Sequence, residues 1–114
     1  MKLKKGNKII CAKPTLRKTP LSKSIGLLFR KSIREDEAHI FVFKKETYLK
    51  FHMFFVFTPI DIIFLDKKMN VVDYKKSFKP FTTYKSKKKS CYAIEVKENM
   101  IKKYEIKKGD TLKF

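Results

Sequence analysis

The sequence predicts a mainly β (α+β) fold, a small closed or partly open β-barrel of about seven short strands with one or two short helices. Three observations predict it. β-Branched and aromatic residues, ten of the 11 Phe among them, gather in short runs from Ala38 onward, the composition of pleated, half-buried surfaces. One run alternates: Leu49, Phe51, Met53, Phe55 and Phe57 are apolar, while Tyr48, Lys50 and His52 lie between them, the period of two of a strand with one face on a core. Polar, turn-like segments separate the runs, and a chain of many short strands protects its edges by closing the sheet.

Taken in order, residues 7–12 (NKIICA) read as a first strand. In KTPLSKSIGLLFRK, Thr19 can accept an amide hydrogen bond at a helix N-cap and Pro20 suits the first helical position. Leu21, Ile25 and Leu28 recur at spacings of four and three, which predicts an amphipathic helix of about two turns ending between Gly26 and Phe29. AHIFVF is the next strand, KKET a turn, and YLKFHMFFVF the alternating strand. Thr58-Pro59 interrupts pairing, because proline has no amide to donate. DIIFL predicts a strand covered on both faces, and DKKMN turns it into NVVDYKKSF to make a hairpin. KPFTTYKSKKKS is a basic loop, CYAIEV a strand, ENMIKKYEI one or two helical turns, and KKGDTLKF a glycine turn leading into a last strand.

Composition bounds what such a fold can do. Lys and Arg number 29 and Asp and Glu 11 in 114 residues, a formal charge of +18, yet 43% of the residues are hydrophobic. That is enough apolar surface for one core, and a single domain over residues 1–114 is expected. Cys11 and Cys91 stand 80 residues apart in apolar contexts, which predicts buried free thiols. His39 and His52 stand alone, so neither a metal nor a cofactor is expected; with three glycines, no glycine-rich phosphate loop can form. The start, MKLKKGNKIICAKP, has too short an apolar run for a signal peptide. The most apolar stretch, Phe51 to Leu65, is broken by Pro59 and Asp61, whereas a membrane helix needs about 20 apolar residues. A cytoplasmic monomer without membrane contact is the expectation.

The charge invites a nucleic-acid reading. Lys75 and Lys76, then Lys85 with Lys87, Lys88 and Lys89, interleave with Tyr74, Phe78, Phe81 and Tyr84, aromatic rings on which unpaired bases can stack. Base-specific recognition favours Arg and side-chain amides, but Lys outnumbers Arg 26 to 3 and Gln does not occur. Binding through residues 74–89 would therefore be weakly sequence-selective and salt-dependent. A solvated basic surface left by biased coding or a hot habitat is the competing reading.

Asp61 heads the most apolar strand and must be exposed, capped by backbone amides or paired, with Arg30 as one partner; a ligand-binding or acid–base role is the alternative. Glu95 alternates with apolar neighbours and is expected to face solvent or a groove. His52 is expected to be half-exposed beside Lys50, with Thr58 and Cys91 as the nucleophiles a general base would need. Arg30, His52, Thr58, Asp61 and Glu95 are thus the candidate ligand-site residues. A non-catalytic binding module of unknown ligand is the leading expectation; nucleic-acid binding through Tyr74 to Lys89 is the first alternative, and a small enzyme built on Arg30, His52 and Asp61 the second.

GLLFR, IFVF, FHMFFVFTPIDIIFLD, YAIEV and IKKGD occur in an order that resembles a family of small prokaryotic proteins, domain-of-unknown-function family 192, over roughly residues 12–114. Met53, Pro59, Ile60 and Asp61 match its central block. His52 stands where a Trp is common, and Phe54-Phe55-Val56 replaces a frequent Lys-Asn-Thr. Asn99 and Glu105 occupy positions often held by Gly. The resemblance implies a small mainly β domain with one or two short helices and no established reaction. IKKGDTL also resembles the Gly-Asp turn of certain small β-barrels.

Overall fold

A computed structural model describes residues 1–17, 33–52 and 58–114, apart from the side chain of His52. The helix expected over residues 19–29, Arg30, and positions 53–57 of the alternating strand lie outside the described residues. The class is mainly β, as the sequence predicts.

Ten strands and one helix are described: β1 (Leu3–Lys5), β2 (Lys8–Cys11), β3 (Thr15–Arg17), β4 (Ala38–Thr47), β5 (Lys50–His52), β6 (Ile60–Leu65), β7 (Val71–Phe78), β8 (Thr83–Lys85), β9 (Ser90–Lys97), α1 (Met100–Lys103) and β10 (Leu112–Lys113). The count exceeds seven because β1, β3, β5, β8 and β10 have only two or three residues each, too few for an alternating pattern to register. KKET, expected to turn, continues β4 to Thr47 beyond an irregularity in its pairing with β9. Tyr84, expected in a loop, lies in β8.

The strands form three sheets, in the orders β3-β4-β9-β6-β7, β10-β1-β2 and β5-β8. Among the described residues these sheets are not joined into a closed barrel. β3 and β4 run parallel, and every other pair is antiparallel. β6 lies between β9 and β7, and all six of its residues are buried, the consequence of a strand covered on both faces.

Each face of the large sheet meets its own core. Ile40, Ile63, Leu65, Ile94 and Val96 pack with Leu3, Ile10, Met100, Ile101, Ile106 and Leu112. On the opposite face Phe41, Ile62, Phe64 and Ala93 pack with Ile33, Leu49, Ile60 and Phe78. Cys11 and Cys91 are free and buried, and burial pushes both thiols up from their ordinary range.

Asp61 explains how α1 attaches. Between Ile60 and Ile62 the pairing with β7 is irregular, and Ser77 adopts φ 50°. The Ser77 amide donates to Asp61 Oδ1 at 3.0 Å, and the Ile101 amide donates to Asp61 Oδ2 at 3.0 Å. Asn99 starts α1 in the left-handed region without a side-chain cap, so the carboxylate of β6 does the work of an N-cap residue from another element.

The end of α1 is equally well defined. Ile106 N donates to Ile101 O at 2.9 Å and Glu105 N to Lys102 O at 3.2 Å, the two bonds of a Schellman motif, with Glu105 at φ 51° in the position glycine favours. Lys5 Nζ donates to the carbonyls of Tyr104 (3.1 Å) and Glu105 (2.7 Å) and pairs with Asp110 at 3.2 Å. The positive φ at Asn99 and Glu105 gives a physical reason for the glycines common there in the family that the sequence resembles.

Asp61→Ala should destabilise the fold by about 2–5 kcal/mol in denaturant unfolding, since it leaves two amides without acceptors; Asp61→Asn, with one acceptor oxygen, should cost less. Glu105→Gly should relieve the left-handed strain and be neutral or stabilising by up to about 1 kcal/mol, whereas a β-branched Glu105→Ile should lower the melting temperature.

Candidate functional site

The basic segment after β7 is anchored from below. Asp73 is buried on β7, and its Oδ2 accepts the Tyr84 hydroxyl at 2.7 Å and the Lys87 amide at 2.8 Å. The Tyr84 ring stacks on Phe64 (centroids 5.9 Å, interplanar angle 29°) and meets the edge of Phe78 at 6.3 Å. Burial, together with Asp73, pushes the Tyr84 phenol up to about 12. Ser86 exchanges hydrogen bonds with both backbone groups of Leu49, fixing the chain beyond β8 to the turn before β5.

Above these anchors a cleft of about 290 Å³ opens between β7 and β8, lined by Lys75, Ser77, Lys79, Thr82, Thr83 and Tyr84. Two ammonium groups and four hydroxyl-bearing side chains face one hollow, with no carboxylate among its described lining residues. The two lysines supply positive charge, and the hydroxyls of Ser77 and Thr83 add donors, while the Tyr84 hydroxyl donates to Asp73 and the Thr82 hydroxyl to the Lys79 carbonyl. Lys75 Nζ lies 5.7 Å from the Tyr84 ring centroid, Lys76 Nζ 5.7 Å from that of Tyr74, and Lys85 Nζ 5.5 Å from that of Tyr48. Lys87, Lys88 and Lys89 are exposed in the turn before β9. Exposed lysines also cover the other sheets, at Lys8, Lys44, Lys67 and Lys113 among others, so charge alone does not single out this face.

Of the five ligand-site candidates, the side chains of Thr58, Asp61 and Glu95 are described, and Asp61 and Glu95 do not share a face of the sheet. Asp61 pairs across the sheet with Val96, and Glu95 with Ile62; these adjacent positions project to opposite faces, which separates the two carboxylates. Asp61 is buried with both oxygens accepting amides. Thr58 is half-buried at the bend before β6. His52 pairs by its backbone with Thr83 of the cleft, while its side chain and Arg30 lie outside the described residues.

Glu95 is buried, not facing solvent, because β9 is an interior strand with Ile62 and His39 on either side. The sequence reading missed its neighbours. β3, parallel to β4, brings Arg17 Nη2 within 3.3 Å of His39 Nδ1, and the guanidinium, always a donor, makes Nδ1 the acceptor. Arg17 Nε and Glu95 Oε1 are buried without hydrogen-bond partners. Burial raises the Glu95 carboxyl to about 8, partly offset by the charge of Arg17, so it holds its proton at neutral pH. Only the parallel pairing of a three-residue strand unites these groups, and no spacing announces it.

From about pH 4.5 to about 8 the folded state keeps a proton on Glu95 that the unfolded state has lost, so this group's contribution to stability falls as pH rises through that window. Denaturant unfolding should show a decline of up to about 1.4 kcal/mol per pH unit there, flattened in Glu95→Gln. Asp110 acts in the opposite sense. The Lys107 amide, then Lys5, hold its carboxyl below the usual range, so its contribution is present at neutral pH and lost on acidification.

Comparison with known proteins places the chain. A UPF0127 protein of Thermococcus kodakarensis is 35% identical over 102 residues, covering 88% of this chain and 63% of the relative's length. The chain therefore spans less than two thirds of that relative. A UPF0127 protein of Pyrococcus horikoshii is 31% identical over 96 residues, covering 82% of this chain and 80% of its own length. In fold, the crystal structure of a protein of unknown function from Novosphingobium aromaticivorans matches with a TM-score of 0.82 at 23% identity, over 89% of this chain and 74% of the other. Sequence order, fold and relatives agree with the family model DUF192 (Uncharacterized ACR, COG1430), which matches residues 2–114, and the chain belongs to that family.

Proposed function

We propose that the protein is a non-catalytic binding module whose cleft between β7 and β8 takes a phosphate-bearing ligand. The observation that carries this reading is the described lining of the cleft: Lys75 and Lys79 beside the hydroxyls of Ser77 and Thr83, with no acid among the described lining residues. A concave, rigidly supported site with converging polar groups is where ligands are held. The enzyme alternative draws no such support, because the Asp61 oxygens are both occupied by amides of the fold.

Pyrophosphate titrated into the protein at low salt should shift backbone amide resonances of residues 75–84 with a saturable isotherm. Lys75→Glu with Lys79→Glu should weaken binding at least tenfold, since two attractive charges become repulsive, while the exposed pair Lys44→Glu and Lys45→Glu should leave it within about threefold. Shifts scattered over the lysine-covered surface, or equal effects of the two pairs, would exclude this cleft as the site.

A further inference from the structure

Away from the cleft, three polar side chains meet on the sheet face that carries Phe41, Ile62 and Ala93. Glu95 of β9 stands opposite His39 of β4, and Arg17 of β3, paired with Phe41, donates from Nη2 to His39 Nδ1 at 3.3 Å. The His39 ring is engaged on both sides, since its Nε2 faces Glu37 Oε2 across 3.9 Å. Its two neighbours are left incomplete: Arg17 Nε and Glu95 Oε1 are buried and have no hydrogen-bond partner. β3 and β9 flank β4, which brings the Arg17 charge close enough to act on the Glu95 carboxyl, yet no hydrogen bond joins the two. Glu95 is 5% exposed and Arg17 half-buried, so the pair is reached from solvent on the Arg17 side.

Charge and hydrogen bonding are both unbalanced here. A guanidinium is always protonated and only donates, and among the described residues no carboxylate forms an ion pair with Arg17. Glu95 is the nearest acid on this face, but a buried carboxyl that accepts no hydrogen bond is costly to ionise, and at neutral pH it offers an O–H instead. Two donors, Arg17 Nε–H and Glu95 O–H, thus lack an acceptor beside one positive charge. We infer that Arg17 and Glu95 form a binding site for a small monovalent anion, of halide or formate size, which accepts from both groups and balances the guanidinium. Water could accept the same two bonds but would leave the charge unbalanced. A divalent anion would bring a second charge into a largely buried place that holds one cation. The other described charges lie further out: Glu37 is across the imidazole from Arg17, and Lys97 is exposed two residues along β9. The site is separate from the phosphate cleft, since β3 and β7 are opposite edges of the sheet. Ionisation of Glu95 would replace a donor by a competing negative charge, so each anion bound keeps one proton on the protein.

The test is an NMR titration of the full chain with sodium formate and with sodium chloride, compared with sodium sulfate at matched ionic strength, on the parent, Arg17→Gln, Arg17→Lys and Glu95→Gln, with each variant's melting temperature recorded. Formate, chloride or both should shift the backbone amides of Arg17, His39 and Glu95 along a saturable isotherm, and sulfate should not. Arg17→Gln should weaken binding at least tenfold, the worth of a hydrogen bond to a charged group, and Arg17→Lys, which keeps the charge but loses the Nε donor, should weaken it by a factor between that of Arg17→Gln and unity. Glu95→Gln retains a donor in its amide and should bind within about threefold of the parent at pH 7. From pH 7 to about 9.5, above the ordinary range of a histidine and below that of a lysine, parent affinity should fall toward tenfold per pH unit once Glu95 ionises, while Glu95→Gln stays flat. That pH contrast decides the matter even if Arg17→Gln does not fold. Shifts confined to residues 75–84 or scattered over the lysines, unchanged binding in both Arg17 variants, a parent as flat with pH as Glu95→Gln, or no saturable shift at all would each overturn the inference, and none of these would bear on pyrophosphate binding in the cleft.

Discussion

The carboxylate of Asp61 is the interaction on which the arrangement of this protein depends. It occupies a strand buried from end to end, where an ionisable group is unfavourable unless its oxygens are satisfied. Two amides satisfy them, and neither has a partner in a regular ladder: Ser77 lies at the irregular stretch of β7, and Ile101 in the first turn of α1. One side chain thus sets two features. It holds the distorted stretch of β7 against β6, and it pins the start of the helix to the central sheet. Ser77 in turn lines the cleft, so the same carboxylate that ends one strand's regular pairing helps to shape the candidate site.

Around this contact the fold is closed by a small number of charged or polar side chains reaching across sequence. Lys5 joins β1 to the carbonyls that end α1 and to Asp110, 105 positions further along the chain. Asp73 gathers Tyr84 and Lys87. Each reaches an orphan backbone or hydroxyl group near the rim of a core, where exclusion of water makes leaving such a group unpaired costly. The consequence for function is rigidity. The floor of the cleft, Tyr84 on Phe64 and Phe78, belongs to the core, so a ligand would meet a preformed surface and lose little free energy in ordering it.

What was legible in the sequence follows from the range over which each signal acts. The buried β6 and its hairpin to β7 were readable because an uninterrupted apolar run between turn residues has few other solutions. The left-handed positions Asn99 and Glu105 were foreshadowed by the family resemblance, and the capping alternative for Asp61 by the cost of an acid at the head of an apolar strand. Strands of two or three residues were not legible. β3 acquires its identity only from parallel pairing with β4, more than 20 residues downstream, and with it come Arg17 beside His39 and the buried Glu95. Glu95 was expected at solvent or in a groove because alternation along β9 reveals two faces without revealing that both are covered. KKET was expected to turn because its residues are polar, but polarity also suits the exposed end of a long strand.

The +18 charge poses the same difficulty of scale. Lysines are spread over every sheet of the described chain, and at physiological salt each is screened over about 8 Å, so the net charge draws anions toward the whole surface without choosing a place on it. Selection must come from geometry. Beside β8 the charge meets a concave wall of lysine and hydroxyl-bearing side chains, with no carboxylate among its described lining residues, and a floor fixed by Asp73. None of these features follows from composition, and each depends on pairings that bring residues 48–51, 73–79 and 81–87 together. The charge supplies an attraction spread over the surface, and any preference for one place on it must come from the fold.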